Sequence, residues 1–230
     1  MVHITIIYSV TPLTALEHIT ILIRGLSKCR HWRETQHEQS PANTACVACH
    51  ADSGRWQSAA TRYPAFDTGL QKVIPLETRI NECRTRYQKL PTLEWESQPL
   101  LALTAFVANQ SKGQEIAITE TADNAASLER GKAYYQQRKG QLNLACRHCH
   151  ELNPGRMLRG DRLSEGLPTG YPAYKLEWQT LGSLQRRLRN CDIGVRAEPH
   201  DFGSQTYADL SLYLKLRANG LSIDTPAVRR

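Results

Sequence analysis

Four of the seven cysteines stand in two identical frames, Cys46-Val47-Ala48-Cys49-His50 and Cys146-Arg147-His148-Cys149-His150. Two thiols two residues apart, followed at once by a histidine, are the frame of covalent haem c attachment. The thiols reach the two vinyl groups and the adjacent imidazole reaches the iron. Zinc is the alternative for thiols at this spacing, but a tetrahedral site needs further Cys or His ligands. Neither half supplies a second Cys-x-x-Cys, and adjacent Cys and His rarely bind one ion together. Two covalent haem c groups account for both frames, with Cys46, Cys49, Cys146 and Cys149 as attachment points and His50 and His150 as axial ligands.

A second axial ligand is needed on each iron. Methionine is the usual choice in electron carriers because its thioether raises the potential. The only methionines are Met1 and Met157, and Met157 lies seven residues after His150, too near along the chain to cross easily to the opposite haem face. A cysteine recurs once per half, Cys83 and Cys191, and each could bind as a thiolate, giving a low potential unsuited to ordinary electron carriage. The competing reading is a structural disulfide joining Cys83 to Cys191 or Cys29. Repeated placement favours each half using its own cysteine in the same way. His148 sits inside its own frame, His200 follows Pro199 in a loop and reads as a surface residue, and His3, His18, His31 and His37 carry no motif.

These ligands must be held by elements that recur. Leu76-Glu77-Thr78-Arg79-Ile80-Asn81-Glu82-Cys83 aligns without a gap on Leu184-Gln185-Arg186-Arg187-Leu188-Arg189-Asn190-Cys191. Ser97-Gln98 and Ala108-Asn109 answer Ser204-Gln205 and Ala218-Asn219 in the same order. Each half reads as attachment frame, irregular loop, short helix ending in Cys, polar connector and closing helix. The expected fold is mainly α: two tandem class I cytochrome c-like domains related by internal duplication, at 43–122 and 123–230, behind a divergent segment 1–42. In the first closing helix Leu100, Leu103, Phe106 and Val107 recur at helical spacing. In the second, Leu210, Leu212, Leu214 and Leu216 alternate as in a strand, but the alignment and Lys215 and Arg217 favour helix. A helix over 128–138, a linker near 111–124 and a long Gly/Pro-rich loop over 152–174 complete the expectation.

The halves differ in charge. Arg79 and Arg187 each stand one helical turn before the ligand cysteine. For Arg79 a haem propionate is the preferred partner. The second half adds Arg186 and Arg189, and Arg217 where the first has Val107. Several guanidinium groups near Cys191 predict a depressed thiol pKa and an oxyanion site, hence an active site.

At these residues the sequence resembles the SoxA family, the catalytic haem subunit of the SoxAX complex of sulfur-oxidising bacteria. The likeness runs through 140–146, 159–161, 168–172, 176–183, Arg186 to Cys191, 194–199 and 217–220, and in the first half through 62–64, 79–81, 83–84 and 101–105. It implies oxidative conjugation of thiosulfate to a cysteine of the carrier SoxYZ, by an L-cysteine S-thiosulfotransferase with the cytochrome SoxX as heterodimer partner. Carried over by position, Cys191 is the haem ligand modified to a persulfide and acts as the catalytic sulfur. Arg187 binds substrate, with Arg217 a second residue of that pocket, and Cys83 is the distal ligand of the first haem. The rival is a dihaem electron-transfer cytochrome without chemistry of its own.

Composition adds little. Lys and Arg outnumber Asp and Glu by 29 to 22 over 230 residues, a net charge of +7 that favours anionic substrates or an acidic partner. Nothing points to nucleic acid. The most apolar early stretch, Ile19 to Leu26, is broken by Arg24, so no membrane span is expected. Met1-Val2-His3-Ile4 begins no recognisable signal peptide. Haem c attachment nevertheless implies export to the periplasm, so a misplaced or truncated start is expected.

Overall fold

Each attachment frame folds as a short helix, α1 (Cys46–Cys49) and α7 (Cys146–His150), and a similar succession of elements follows each. The computed structural model describes residues 45–50, 54–158 and 160–229. The expected divergent segment 1–42, with Cys29 and its histidines, and Arg159 lie outside the described residues. After α1 come α2 (Gly54–Gln57), α3 (Ala59–Arg62), the strands β1 (Ala65–Asp67) and β2 (Lys72–Ile74), then α4 (Leu76–Cys83) and α5 (Gln98–Asn109). The helix α6 (Ala122–Gln136) leads to α7. Then follow β3 (Met157–Leu158), β4 (Asp161–Arg162), β5 (Ala173–Lys175), β6 (Thr180–Gly182), α8 (Leu184–Gly194), α9 (Gln205–Arg217) and β7 (Ala227–Arg229).

The fold is mainly helical, as expected, with strands where irregular loop was predicted. β1 and β2 form an antiparallel hairpin pairing Ala65 with Ile74 and Asp67 with Lys72. β5 and β6 form another, pairing Ala173 with Gly182 and Lys175 with Thr180, in the same register. At three residues per strand these hairpins are too short for an alternating pattern to stand out. β7 adds to β5 in parallel, so the chain end closes the second hairpin.

The other differences lie at element ends. α6 begins at Ala122, inside the predicted linker, because Thr121 and Asn124 form a reciprocal capping box. The linker itself is fastened down: Gly113 N–H donates to the Ile223 carbonyl, Ile116 N–H to Leu221, and Ile223 N–H to Gln114. Neither helix stops at its cysteine: α4 passes at Cys83 directly into a π-helical turn over Arg84–Gln88, and α8 runs past Cys191 to Gly194, held at its start by Ser183 Oγ accepting Arg186 N–H at 3.1 Å.

α9 resolves the ambiguous leucines. Residues two apart on a helix point to nearly opposite sides, so alternating leucines suit a helix buried all round. Leu212 packs into a cluster with Val73, Leu76, Ile116, Ile118 and Leu128, which draws on both halves of the chain. Leu210 and Leu214 pack into another with Tyr135, Leu188 and Tyr207. Full burial of one leucine contributes about 1.5–3 kcal/mol. α6 crosses α9 closely enough that a Cβ on Gly131 would stand 2.2 Å from the Asp209 carbonyl oxygen. No helix of the described residues is long and apolar enough to cross a membrane.

Where the halves meet, Glu77 on α4 and Lys215 on α9 are both buried. Burial pushes the Glu77 carboxyl up to about 7, with Lys215 pulling it back and Glu96 adding to the rise. Lys215 is pushed down to about 8 by burial, against the pull of Glu77. A carboxyl that holds its proton in the fold but releases it on unfolding loses stability as pH rises from its unfolded value through its folded one. Between pH 4.5 and about 7, Glu77 is therefore expected to lower the unfolding free energy by up to about 3 kcal/mol. Urea titrations across that window are expected to show a shallower fall in Glu77→Gln; an unchanged slope would refute this.

Candidate active site

The site is built on α8 and the loop after α7. Cys191 is half-buried and Cys83 likewise, and neither takes part in a disulfide. Each faces its own frame: the Cys83 thiol feels Cys46 and Cys49, and Cys191 feels Cys149. The disulfide reading of these two residues is thereby set aside.

The predicted arginine cluster separates. Arg186 pairs with Glu96 at 3.9 Å and lies over the Trp178 ring at 4.4 Å. Arg189 donates to the His200 carbonyl and lies over Phe202 at 4.7 Å. Neither is among the leading charges felt at Cys191. Burial pushes the Cys191 thiol above its ordinary value, and Arg187 is the leading opposing charge, helped by Lys139. The expected depressed thiol pKa is thus corrected: one nearby guanidinium does not outweigh desolvation. Arg217 donates to the Tyr135 hydroxyl at 2.8 Å and reaches Glu151 at 3.6 Å, while its charge is felt at His150.

Arg79 and Arg187 occupy matching places after matching hairpins, yet their surroundings differ. Arg79 donates from Nε to the Tyr63 hydroxyl at 2.9 Å and forms an ion pair with Asp67. Arg79 therefore has partners within the protein, whatever it offers a propionate. Arg187 has no side-chain hydrogen bond or ion pair among the described residues. Its charge is felt at Cys191, Tyr171 and His150, so the guanidinium lies within electrostatic reach of all three.

Sequence reasoning did not find the support around these groups. The His150 Nδ1–H donates to the Ser164 carbonyl at 2.7 Å, which leaves Nε2 for a metal. Gly166, at φ +71°, lets the loop close against that ring: a Cβ there would lie 2.8 Å from His150 Cγ. Gly166→Ala is expected to shift the visible spectrum of the purified holoprotein, whereas Gly155→Ala, at φ +79° in open space, leaves it unchanged. Identical spectra would remove the loop from the account. Beside Cys191, the buried Asp192 accepts from the Tyr134 and Tyr207 hydroxyls, each at 2.8 Å, and binds Lys139 Nζ at 2.7 Å. Tyr134 lies on α6, Lys139 in the loop between α6 and α7, and Tyr207 on α9, so this clamp ties α8 to α6, α9 and the approach to the frame. Lys139 and Asp192 lie too far apart along the chain for spacing to announce it.

The remaining candidates fall outside. His148 Nδ1 accepts Ala145 N–H at 2.9 Å, turned back on its own frame. His200 is half-buried between the Tyr134 and Tyr207 rings, each at 5.5 Å, rather than on the surface. Met157 is exposed on β3. Among the described residues no three His, Cys, Asp or Glu side chains converge as ligands of a bare ion. Paired thiols, an oriented imidazole and a facing cysteine form a donor set that suits haem c.

Comparison with known proteins supports this. The family model described as SoxA/TsdA, cytochrome c domain, matches residues 31–116, beginning ahead of the expected boundary at 43. The chain is 33% identical over 196 residues to the L-cysteine S-thiosulfotransferase subunit SoxA of Pseudaminobacter salicylatoxidans, covering 84% of this chain and 68% of that one. It is 34% identical over 187 residues to that subunit of Rhodovulum sulfidophilum, covering 80% and 65%. The chain thus spans about two thirds of the length of these curated relatives. The crystal structure of SoxXA from P. pantotrophus superposes with a TM-score of 0.83 at 29% identity, covering 92% of this chain and 78% of that one.

Proposed function

This chain belongs to the SoxA family, and from that premise we propose that it is a haem-dependent L-cysteine S-thiosulfotransferase with Cys191 as the catalytic sulfur and Arg187 as the residue that binds thiosulfate. As a cytochrome c it binds haem. We assign one haem c to each frame, with Cys46, Cys49, His50 and Cys83 serving the first and Cys146, Cys149, His150 and Cys191 the second. The equal register of the two hairpins supports a duplication, with domains at 43–122 and 123–230. SoxX is the proposed heterodimer partner, SoxYZ the carrier and the periplasm the compartment.

Arg187 carries this reading. It is a cation with no counter-charge paired to it among the described residues, in electrostatic reach of the cysteine that follows it by one turn. A guanidinium fork can hold a divalent sulfur oxyanion beside that sulfur, replacing a bimolecular encounter with a positioned one. Tyr171, also in reach of Arg187 and Cys191, walls the site. Burial at Cys191 limits competing reaction with water. Overall one S–S bond forms between the carrier cysteine and thiosulfate; the carrier thiol loses its proton and two electrons leave the joined sulfurs. When bound, haem supplies a one-electron acceptor and an iron to ligate the cysteine sulfur. Arg217, fixed by Tyr135 and Glu151, is assigned to the rim of the same site.

The test is the mass of the fragment containing Cys191. It is expected to carry an additional sulfur, removed by reductant and restored by thiosulfate. A Cys191 that never takes up sulfur would favour a dihaem electron carrier.

A further inference from the structure

The two hairpins share one register, so position 175 in the second occupies the place of position 67 in the first. At 67 stands an aspartate, and it binds Arg79. At 175 stands a lysine, buried to 4% exposure, whose Nζ turns to Glu177 at 2.8 Å. Glu177 is the carboxylate on this hairpin whose charge Arg187 also feels. The lysine therefore has two effects on Arg187. It puts no carboxylate where Arg79 finds one, and it engages the carboxylate that could take its place.

We propose that Lys175 is a specificity-determining residue that keeps Arg187 available to a sulfur oxyanion, by standing where the first half has a carboxylate and by holding Glu177 in an ion pair. The exchange between Asp67 and Lys175 then distinguishes an arginine locked into structure from one open to a ligand, although both sit on the same helix turn before a cysteine. Lys175 touches no substrate; it acts through Arg187. The inference rests on Arg187 being the thiosulfate-binding residue.

Carrier conjugation by the purified holoprotein, measured against thiosulfate concentration, gives the test as an ordered series. Glu177→Gln is expected to leave KM for thiosulfate within about twofold, because Lys175 already engages that carboxylate. Lys175→Gln releases Glu177 and is expected to raise KM about threefold to fivefold, and Lys175→Gln with Glu177→Gln to restore it. Lys175→Asp rebuilds the first-half pair and is expected to raise KM about tenfold or more, with kcat far less affected. Thermal unfolding supplies a second readout: the aspartate variant is expected to be more stable with Arg187 present than with Arg187→Ala. If Lys175→Asp fails to fold, the glutamine pair decides alone. Equal KM values for Lys175→Gln with and without Glu177→Gln would overturn the inference, as would an unchanged KM in a folded Lys175→Asp. Arg187→Ala separates the two claims. If it leaves KM unchanged, the assignment of Arg187 fails first; if it raises KM while the Lys175 series stays flat, only the role of Lys175 fails.

Discussion

Cys191→Ser is expected to lower thiosulfate conjugation at least about a thousandfold, because the change removes the one atom at which the reaction is proposed to occur. A serine hydroxyl fills nearly the same space on α8, so Arg187 and Asp192 keep their places. Oxygen, however, forms no persulfide and does not exchange with an S–S bond. Covalent haem content is expected to stay unchanged, since Cys146 and Cys149 are untouched. Mass spectrometry of the intact chain therefore accompanies the rate measurement. Conjugation within tenfold of native, with both haems attached, would exclude Cys191 as the catalytic sulfur.

The largest expected effect on stability is at the neighbouring residue. Asp192 is 3% exposed, accepts from two tyrosine hydroxyls and forms an ion pair with a lysine ammonium. Asp192→Ala leaves Lys139 as a buried charge without its counter-ion and two phenols without their acceptor. Breaking a buried pair from one side costs about 3–5 kcal/mol. For a chain of this length about 1 kcal/mol corresponds to about 2–4 °C, so the melting temperature is expected to fall by about 10 °C. Asp192→Asn keeps an acceptor for one phenol but loses the charge, and is expected to fall between. Tyr134→Phe and Tyr207→Phe each remove one hydrogen bond and are expected to cost about 1–2 kcal/mol apiece. A melting temperature within 2–3 °C of native in Asp192→Ala would show that the clamp does not hold α8 against α6 and α9.

Arg186 and Arg189 count with Arg187 as charges near Cys191 because all three are close to it in sequence. Consecutive residues on a helix are turned by about 100°, so only Arg187, one turn back, shares the cysteine's side of α8. Arg186 and Arg189 are turned to Glu96, Trp178 and Phe202, residues of other segments. The depressed thiol pKa failed for a related reason. Charge can be counted along a chain, but desolvation depends on what covers the sulfur, and that is supplied by residues remote in sequence. The hairpins escaped notice because three-residue strands carry too little periodicity, and β7 because its partner, β5, lies some 50 residues earlier.

What the amino-acid sequence determined by itself is local. The two attachment frames and the placing of Arg79 and Arg187 one turn before Cys83 and Cys191 follow from spacings within a few turns of chain, where covalent geometry fixes which side chains can act together. The helical nature of α9, by contrast, is legible only by aligning it with the first half. The tertiary structure decided which of two equivalent arginines is open. Arg79 is tied to Tyr63 and Asp67, brought to it by the first hairpin. The second hairpin brings Lys175 instead, and that lysine binds Glu177. An ion pair forms only where folding places opposite charges within about 4 Å, a condition that the spacing of the two arginines from their cysteines does not express.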